Sequence, residues 1–178
     1  VKPNILYFID RTSNLLAYNT ITQRYVLIKS FANDIPPGSW FDRMYSSQDN
    51  DNYFAFSVVK GGGVYVKHFV WKRSEDRIVW ARDSTDTRKL NKSISLSKDG
   101  RYVRTTYVPA VTGDVMEEVY DLAAGQKTRE VLWTPLTRYL SHGDDGKVFF
   151  VGRTTLDNKI ISKSFAGPSD EYKDLLRP

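Results

Sequence analysis

Between residues 92 and 108 the chain alternates polar and apolar positions, with Ile94 and Leu96 set against Ser93, Ser95 and Ser97, then an Asp99-Gly100 corner, then Arg101-Tyr102-Val103. A period of two marks a half-buried strand, because successive side chains point to opposite faces of a sheet. The stretch predicts two strands about a tight corner. Asp accepts hydrogen bonds from backbone two residues on, and Gly takes a positive φ without a Cβ clash.

The same layout recurs along the chain. Asp99-Gly100-Arg101-Tyr102-Val103 aligns with Asp145-Gly146-Lys147-Val148-Phe149, with Asn50-Asp51-Asn52-Tyr53-Phe54 and, without its corner, with Asn4-Ile5-Leu6-Tyr7-Phe8. Ile5, Tyr53, Tyr102 and Val148 are then equivalent, at steps of 48, 49 and 46 residues. The downstream parts also superpose: Leu16-Ala17-Tyr18 followed by Thr20 to Val26 resembles Val119-Tyr120-Asp121-Leu122 followed by Ala124 to Val131. Each unit reads as strand, turn, strand, polar turn, strand, with a fourth strand before the next corner over 41–47, 93–97 and 138–141. Four antiparallel strands at this spacing predict an all-β, β-propeller-like array of four blade repeats, with units of about 1–47, 48–97, 98–141 and 142–178.

Counted from the corners, the last unit stops after its third strand, near Leu176. An open edge leaves unpaired N–H and C=O groups. Three arrangements answer this: a four-unit ring with an imperfect seam, an arc of a larger propeller, or an arc paired with a second chain. The expectation is one of the latter two, so that a homo-oligomer or the remainder of a longer chain completes the ring.

Composition narrows the classes. Eleven Tyr, nine Phe and four Trp favour strands, and no stretch of helical period exceeds about three turns. Cysteine is absent, which excludes disulfides, thiolate zinc sites and a cysteine nucleophile. No apolar run reaches membrane-spanning length, so membrane insertion is not expected, and the Val1-Lys2-Pro3-Asn4 start predicts a chain processed or cut from something longer. The net charge of +5 is a mild bias towards anionic partners, too small and dispersed to imply nucleic acid.

The segments SLSKDGRYV, SHGDDGKVFF and VYDLAAGQKTREVL resemble the S-x-D-G corner and Y-D-L-x-x-G hairpin of TolB-like and peptidase-type propellers. Those include the N-terminal propellers of prolyl-oligopeptidase and dipeptidyl-peptidase relatives and the propellers of oligogalacturonate lyases. The resemblance covers essentially the whole chain, but its motifs encode turns rather than chemistry. It implies a non-catalytic propeller portion, since the peptidase relatives carry their triad on a separate α/β-hydrolase domain with a G-x-S-x-G elbow that is absent here.

Candidate chemistry is sparse. His68 lies on an alternating strand and His142 in a turn, with no partner spacing for a metal or for a base-activated nucleophile. The carboxylates Asp49, Asp51, Asp144 and Asp145 lack an EF-type pattern, and Gly61-Gly62-Gly63 has no Lys-Ser/Thr after it, so neither a metal, a phosphate loop nor a cofactor is expected. The repeat itself supplies the candidate site. Seven residues before each corner stand Arg43, Lys92 and Arg138, equivalent positions that form a partial basic collar if they face a channel or rim. Trp40 and Trp133, near Pro-bearing loops, are the candidate exposed contacts, whereas Trp71 and Trp80 are expected to pack between units. The expected function is a binding module for a protein or an anionic small ligand, against two rivals: the substrate-gating propeller of a larger hydrolase, and a carbohydrate-binding propeller.

Overall fold

The computed structural model describes residues 4–49, 51–113, 115–133, 138–142, 147–151, 160–164 and 172–175, with side chains described as far as Glu130. Among the described residues fifteen strands form four antiparallel meanders, each strand paired with its neighbour in sequence. The first sheet has three strands, β1 (Ile5–Ile9), β2 (Asn14–Asn19) and β3 (Arg24–Ser30). The second has four, β4 (Ser39–Ser46), β5 (Tyr53–Lys60), β6 (Val64–Lys72) and β7 (Arg77–Asp83). The third has β8 (Arg88–Leu96), β9 (Tyr102–Pro109), β10 (Val115–Asp121) and β11 (Gln126–Trp133). The fourth has β12 (Arg138–His142), β13 (Lys147–Val151), β14 (Ile160–Ser164) and β15 (Tyr172–Leu175). The strand before each corner pairs with the strand after it, so the sheets divide one strand earlier than units counted from the corners. The short sheet is consequently the first, not the last.

The repeat is visible in individual hydrogen bonds. At the third-sheet corner Ser97 Oγ donates to Asp99 Oδ1 at 2.6 Å, the Arg101 N–H donates to the same oxygen at 2.9 Å, and the Tyr102 N–H donates to Ser97 Oγ at 2.9 Å. Gly100, at φ +78°, takes the left-handed position. In the second sheet Ser47 plays the part of Ser97, accepting from the Tyr53 N–H at 3.1 Å, and Asp51 takes the left-handed conformation at φ +49° in place of Gly. The second hairpins agree as well: Asn19 Oδ1 accepts from the N–H groups of Ile21 and Thr22, as Asp121 Oδ1 does from those of Ala123 and Ala124.

Packing runs sheet on sheet, with β4 against β1 and β8 against β5 and β6. Between the first two sheets the core is aromatic: Leu15, Phe31, Phe54, Phe56, Phe69 and Trp71 are all at most 2% exposed. Phe31 sits at its centre, with ring centroids 5.0 Å from Phe56, 5.5 Å from Phe69 and 5.6 Å from Trp71. Between the second and third sheets the core is smaller and mixed, with Ala55, Val70, Ile94, Val103 and Tyr120 joined by a buried polar pair, His68 Nδ1 and Thr105 Oγ1 at 2.7 Å. On the opposite face of the third sheet Arg104 and Glu117 form a buried ion pair at 2.7 Å, with side chains 3% and 0% exposed. Such a pair is costly to desolvate and helps stability little, but removing one partner would strand the other.

Candidate functional site

The connections between sheets, at 31–38 and 84–87, run along one end of the array, where the last strand of one sheet hands over to the first strand of the next. The Phe31 N–H donates to the Ser13 carbonyl at 2.8 Å and the Asp34 N–H to the Phe31 carbonyl at 2.9 Å, which pins the first connection onto the core. This brings Trp40 and Phe41, at the start of β4, beside Ile9, Asp10 and Arg11 at the end of β1, lining a cleft of about 390 Å³. Trp40 is 47% exposed. The cleft thus pairs an open indole face with one cation and one carboxylate.

At the next seam the chemistry is more polar. Ala81, Arg82 and Asp83 end β7, Thr85 and Thr87 stand in the connection and Arg88 opens β8, together lining an open cleft of about 450 Å³. The connection is a tight turn in which the Thr85 N–H donates to the Arg88 carbonyl at 2.7 Å. Arg82 points from the second sheet onto the third, hydrogen-bonding the Tyr120 hydroxyl, its guanidinium 4.6 Å from that ring centroid. Arg88 places its guanidinium over Tyr107, 3.8 Å from the ring centroid.

Between the two guanidinium groups lies Glu118, whose side chain is 1% exposed. It pairs with Arg88 and stands 3.6 Å from Arg82 Nε, and it accepts from the Tyr120 hydroxyl at 2.8 Å. Glu130 stands directly opposite Glu118 on the neighbouring strand. Like charges so placed repel, and Arg88, 3.8 Å from Glu130, bridges them. Lys127 and the Tyr107 hydroxyl both donate to the Glu130 carboxylate, and these bonds hold it below the ordinary carboxylate range. Burial and the Glu130 charge together raise the Tyr107 phenol. The arginine side chains remain 34% and 25% exposed, so each is braced from below and open from above.

The residues singled out from sequence fall as follows. Trp40 lines the first cleft. Trp133 ends β11 and Arg138 opens β12, which places their backbone at the same connection end, while their side chains lie outside the described residues. Arg43 is exposed in β4, 3.4 Å from both Asp42 and the Tyr45 hydroxyl, and its backbone pairs with Ser57. Lys92 is exposed within an irregularity of β8 spanning 91–93, and Arg138 pairs with Val151. The three cations therefore occupy three different register positions, because a bulge in β12 and the irregularity in β8 come between the corner and Arg138 or Lys92, while Arg43 stays in register with its corner.

Of the histidines, His68 is fully buried and His142 ends β12 opposite Val148. Trp71 is buried and Trp80 packs against Tyr120 with ring centroids 5.4 Å apart. Among the described residues no three His, Asp or Glu side chains converge as a metal site requires; Asn50 and Asp144-Asp145 lie outside the described residues. Sequence reasoning missed Arg82 and Arg88. The available signal was local, two arginines flanking a Ser-Thr-Asp-Thr connection, but Glu118 and the two tyrosines that organise them come from strands further along.

No family model matches this chain, and no curated protein does. Solved structures match over nearly its whole length. A prolyl endopeptidase is 11% identical with a TM-score of 0.63, covering 100% of this chain and 29% of its own. The dipeptidyl peptidase 4 of Porphyromonas gingivalis is 8% identical, TM-score 0.60, covering 95% and 31%. The β-propeller domain of the Trilobed protease from Pyrococcus furiosus, described as having an open velcro topology, is 9% identical, TM-score 0.56, covering 97% and 52%. The fold is that of a β-propeller array. Identities this low establish the fold alone, and the chain spans between about a third and half the length of these propeller-bearing proteins. In propeller terms the two clefts stand at successive blade seams, on the face where the inter-blade connections run.

Proposed function

We propose that this chain is a non-catalytic propeller segment that binds a ligand bearing a carboxylate or phosphate group at its connection face, with Arg82 and Arg88 as the anion contacts and Trp40 as the apolar one. The observation that carries the reading is the pair of guanidinium groups at one seam, ordered on tyrosine faces and by buried Glu118, and still open towards a cleft lined by Thr85 and Thr87. Arginine held in a fixed orientation loses little further entropy on gripping an anion, and its planar fork matches carboxylate and phosphate oxygens.

Calorimetric titration with inorganic phosphate and with an acidic hexapeptide, repeated over a salt series, tests it. Arg82→Gln is expected to weaken binding about tenfold and to flatten the salt dependence. Equal affinity of wild type and variant refutes the cleft. The collar of Arg43, Lys92 and Arg138 is the rival anion site, and weakening by its triple alanine variant, with Arg82→Gln unaffected, would move the site there.

A second reading is favoured by the kind of proteins whose propellers resemble this one: two are whole peptidases of which the chain covers under a third. There the segment would gate substrate for an α/β-hydrolase domain elsewhere in the same polypeptide, and the connection face would be the docking side. A Gly-x-Ser-x-Gly elbow in that polypeptide supports it, and its absence from the full-length protein counts against it.

A further inference from the structure

The turn that joins β1 to β2 fixes the backbone of Arg11 and leaves its charge unmatched. Asp10 Oδ1 accepts from the Thr12 N–H, the Thr12 hydroxyl and the Asn14 N–H, each at 2.9 Å, and Oδ2 accepts from Asn14 Nδ2 at 3.0 Å. Ser13, buried and at φ +67°, ties the same turn to the core through its carbonyl, which accepts from the Phe31 N–H. The neighbouring carboxylate is thus committed to its own turn. Arg11, exposed between Asp10 and Thr12, makes no hydrogen bond or ion pair among the described residues.

Arg11 shares the first cleft with Trp40, Ile9 and Phe41, and its volume of about 390 Å³ is in the range of small-molecule sites. Ile9 and Phe41 are packed against the aromatic core, which makes this apolar lining firm. The Trp40 indole is 47% exposed, and no ring or cation of the described residues covers it. One open ring, apolar neighbours and one unmatched guanidinium select by chemistry. A flat ring set on the indole gains stacking and buried area, and a single guanidinium fork takes one carboxylate. A dianionic group would meet only one cation here. A sugar face would also stack, but its several hydroxyls need partners. Apart from Arg11 the lining side chains offer only the Asp10 carboxylate, already occupied, and the indole N–H.

We propose that the first cleft binds small aromatic monocarboxylates, with the ring on Trp40 and the carboxylate on Arg11. The site shares Trp40 with the connection-face reading above, and neither Arg82 nor Arg88 belongs to it.

Calorimetric titration with phenylacetate, acetate, benzyl alcohol and galacturonate tests it. Phenylacetate is expected to bind at least tenfold more tightly than acetate, which lacks the ring, and than benzyl alcohol, which lacks the charge. Arg11→Gln should bring phenylacetate down to the level of benzyl alcohol, and Trp40→Ala down to that of acetate. Should Trp40→Ala fail to fold, Arg11→Gln carries the test, since Arg11 is exposed and bonds nothing that the fold uses. Arg82→Gln should leave phenylacetate binding unchanged, and Arg11→Gln should leave inorganic phosphate binding unchanged. Phenylacetate no tighter than its two halves, indifference to Arg11→Gln, or galacturonate binding more tightly than phenylacetate would each overturn the proposal. Loss of phenylacetate binding in Arg82→Gln would also overturn it, placing the carboxylate at the second seam. Absence of phosphate binding, with the phenylacetate results as expected, would count against the second-seam reading and leave this site standing.

Discussion

His68 makes the stability of this protein depend on pH in a window where carboxylates contribute little. Its ring is fully buried between the second and third sheets, with Nδ1 against Thr105 Oγ1, and burial lowers its pKa from 6.5 to about 4, a shift that the Asn91 carbonyl only partly opposes. The folded chain therefore holds a neutral imidazole at pH values where the unfolded chain is already protonated. Stability is at its full value above about pH 6.5 and is lost as pH falls from there towards about 4. At about 1.4 kcal/mol per pH unit, lowering the pH from about 7 to about 5 should remove roughly 2 kcal/mol, a substantial part of a domain's typical margin. Urea unfolding at the two pH values measures this, compared with His68→Gln, whose amide can still meet Thr105 but does not titrate. The quantity of interest is the difference in pH dependence between the two chains, so a packing cost of the substitution cancels, as does any contribution of His142. Asp10, Asp76, Asp121 and Glu130 all have lowered pKa values, and their contributions are common to both chains and cancel likewise. Parallel pH profiles for wild type and His68→Gln would refute the reasoning.

Three further perturbations separate the kinds of interaction that hold the array. Gly100→Ala should cost clearly more than Gly125→Ala in thermal unfolding: both have positive φ, but a Cβ at Gly100 would lie 2.3 Å from the Tyr53 ring while Gly125 faces open space. Equal costs would show that the corner yields. Phe31→Ala should lose about 3–5 kcal/mol by denaturant titration, since Phe31 fills the centre of the aromatic core between the first two sheets. The same variant should release the connection that positions Trp40, visible as a red shift of tryptophan emission. Arg88→Gln should destabilise the fold by a few kcal/mol because it leaves Glu118 buried without its main partner, and Glu118→Gln introduced with it should recover part of that loss. Failure of the second change to recover stability would mean that Tyr120 and Arg82 already satisfy the carboxylate.

What the sequence by itself determined was the repeat and its turns. Alternation in Ile94 and Leu96, the Asp99-Gly100 corner and its echo at Asn50-Asp51-Asn52 are local signals, set by side chains that bond their own backbone and by residues that tolerate positive φ. Strand number and sheet type follow from these within each hairpin. The same locality explains the limits of the reading. Whether a strand before a corner belongs to the sheet behind or ahead is decided by hydrogen bonding across the corner, which moved the three-stranded sheet from the end of the chain to its beginning. Equivalent positions in the repeat did not keep equivalent registers, because a one-residue bulge in β12 shifts Arg138 and a longer irregularity in β8 takes Lys92 out of the ladder, while Arg43 lies on the corner side of the bulge in β4 and keeps its register. The Arg82 and Arg88 cleft was invisible for a different reason. Its geometry depends on Tyr107, Glu118, Tyr120 and Glu130, which β9, β10 and β11 line up beside Arg88 of β8 within the third sheet and which meet Arg82 of β7 only when that sheet stacks on the second. Turn chemistry acts over a few residues and is written in the chain; the alignment of charges across a seam is a property of stacked sheets, and tertiary structure alone decides it.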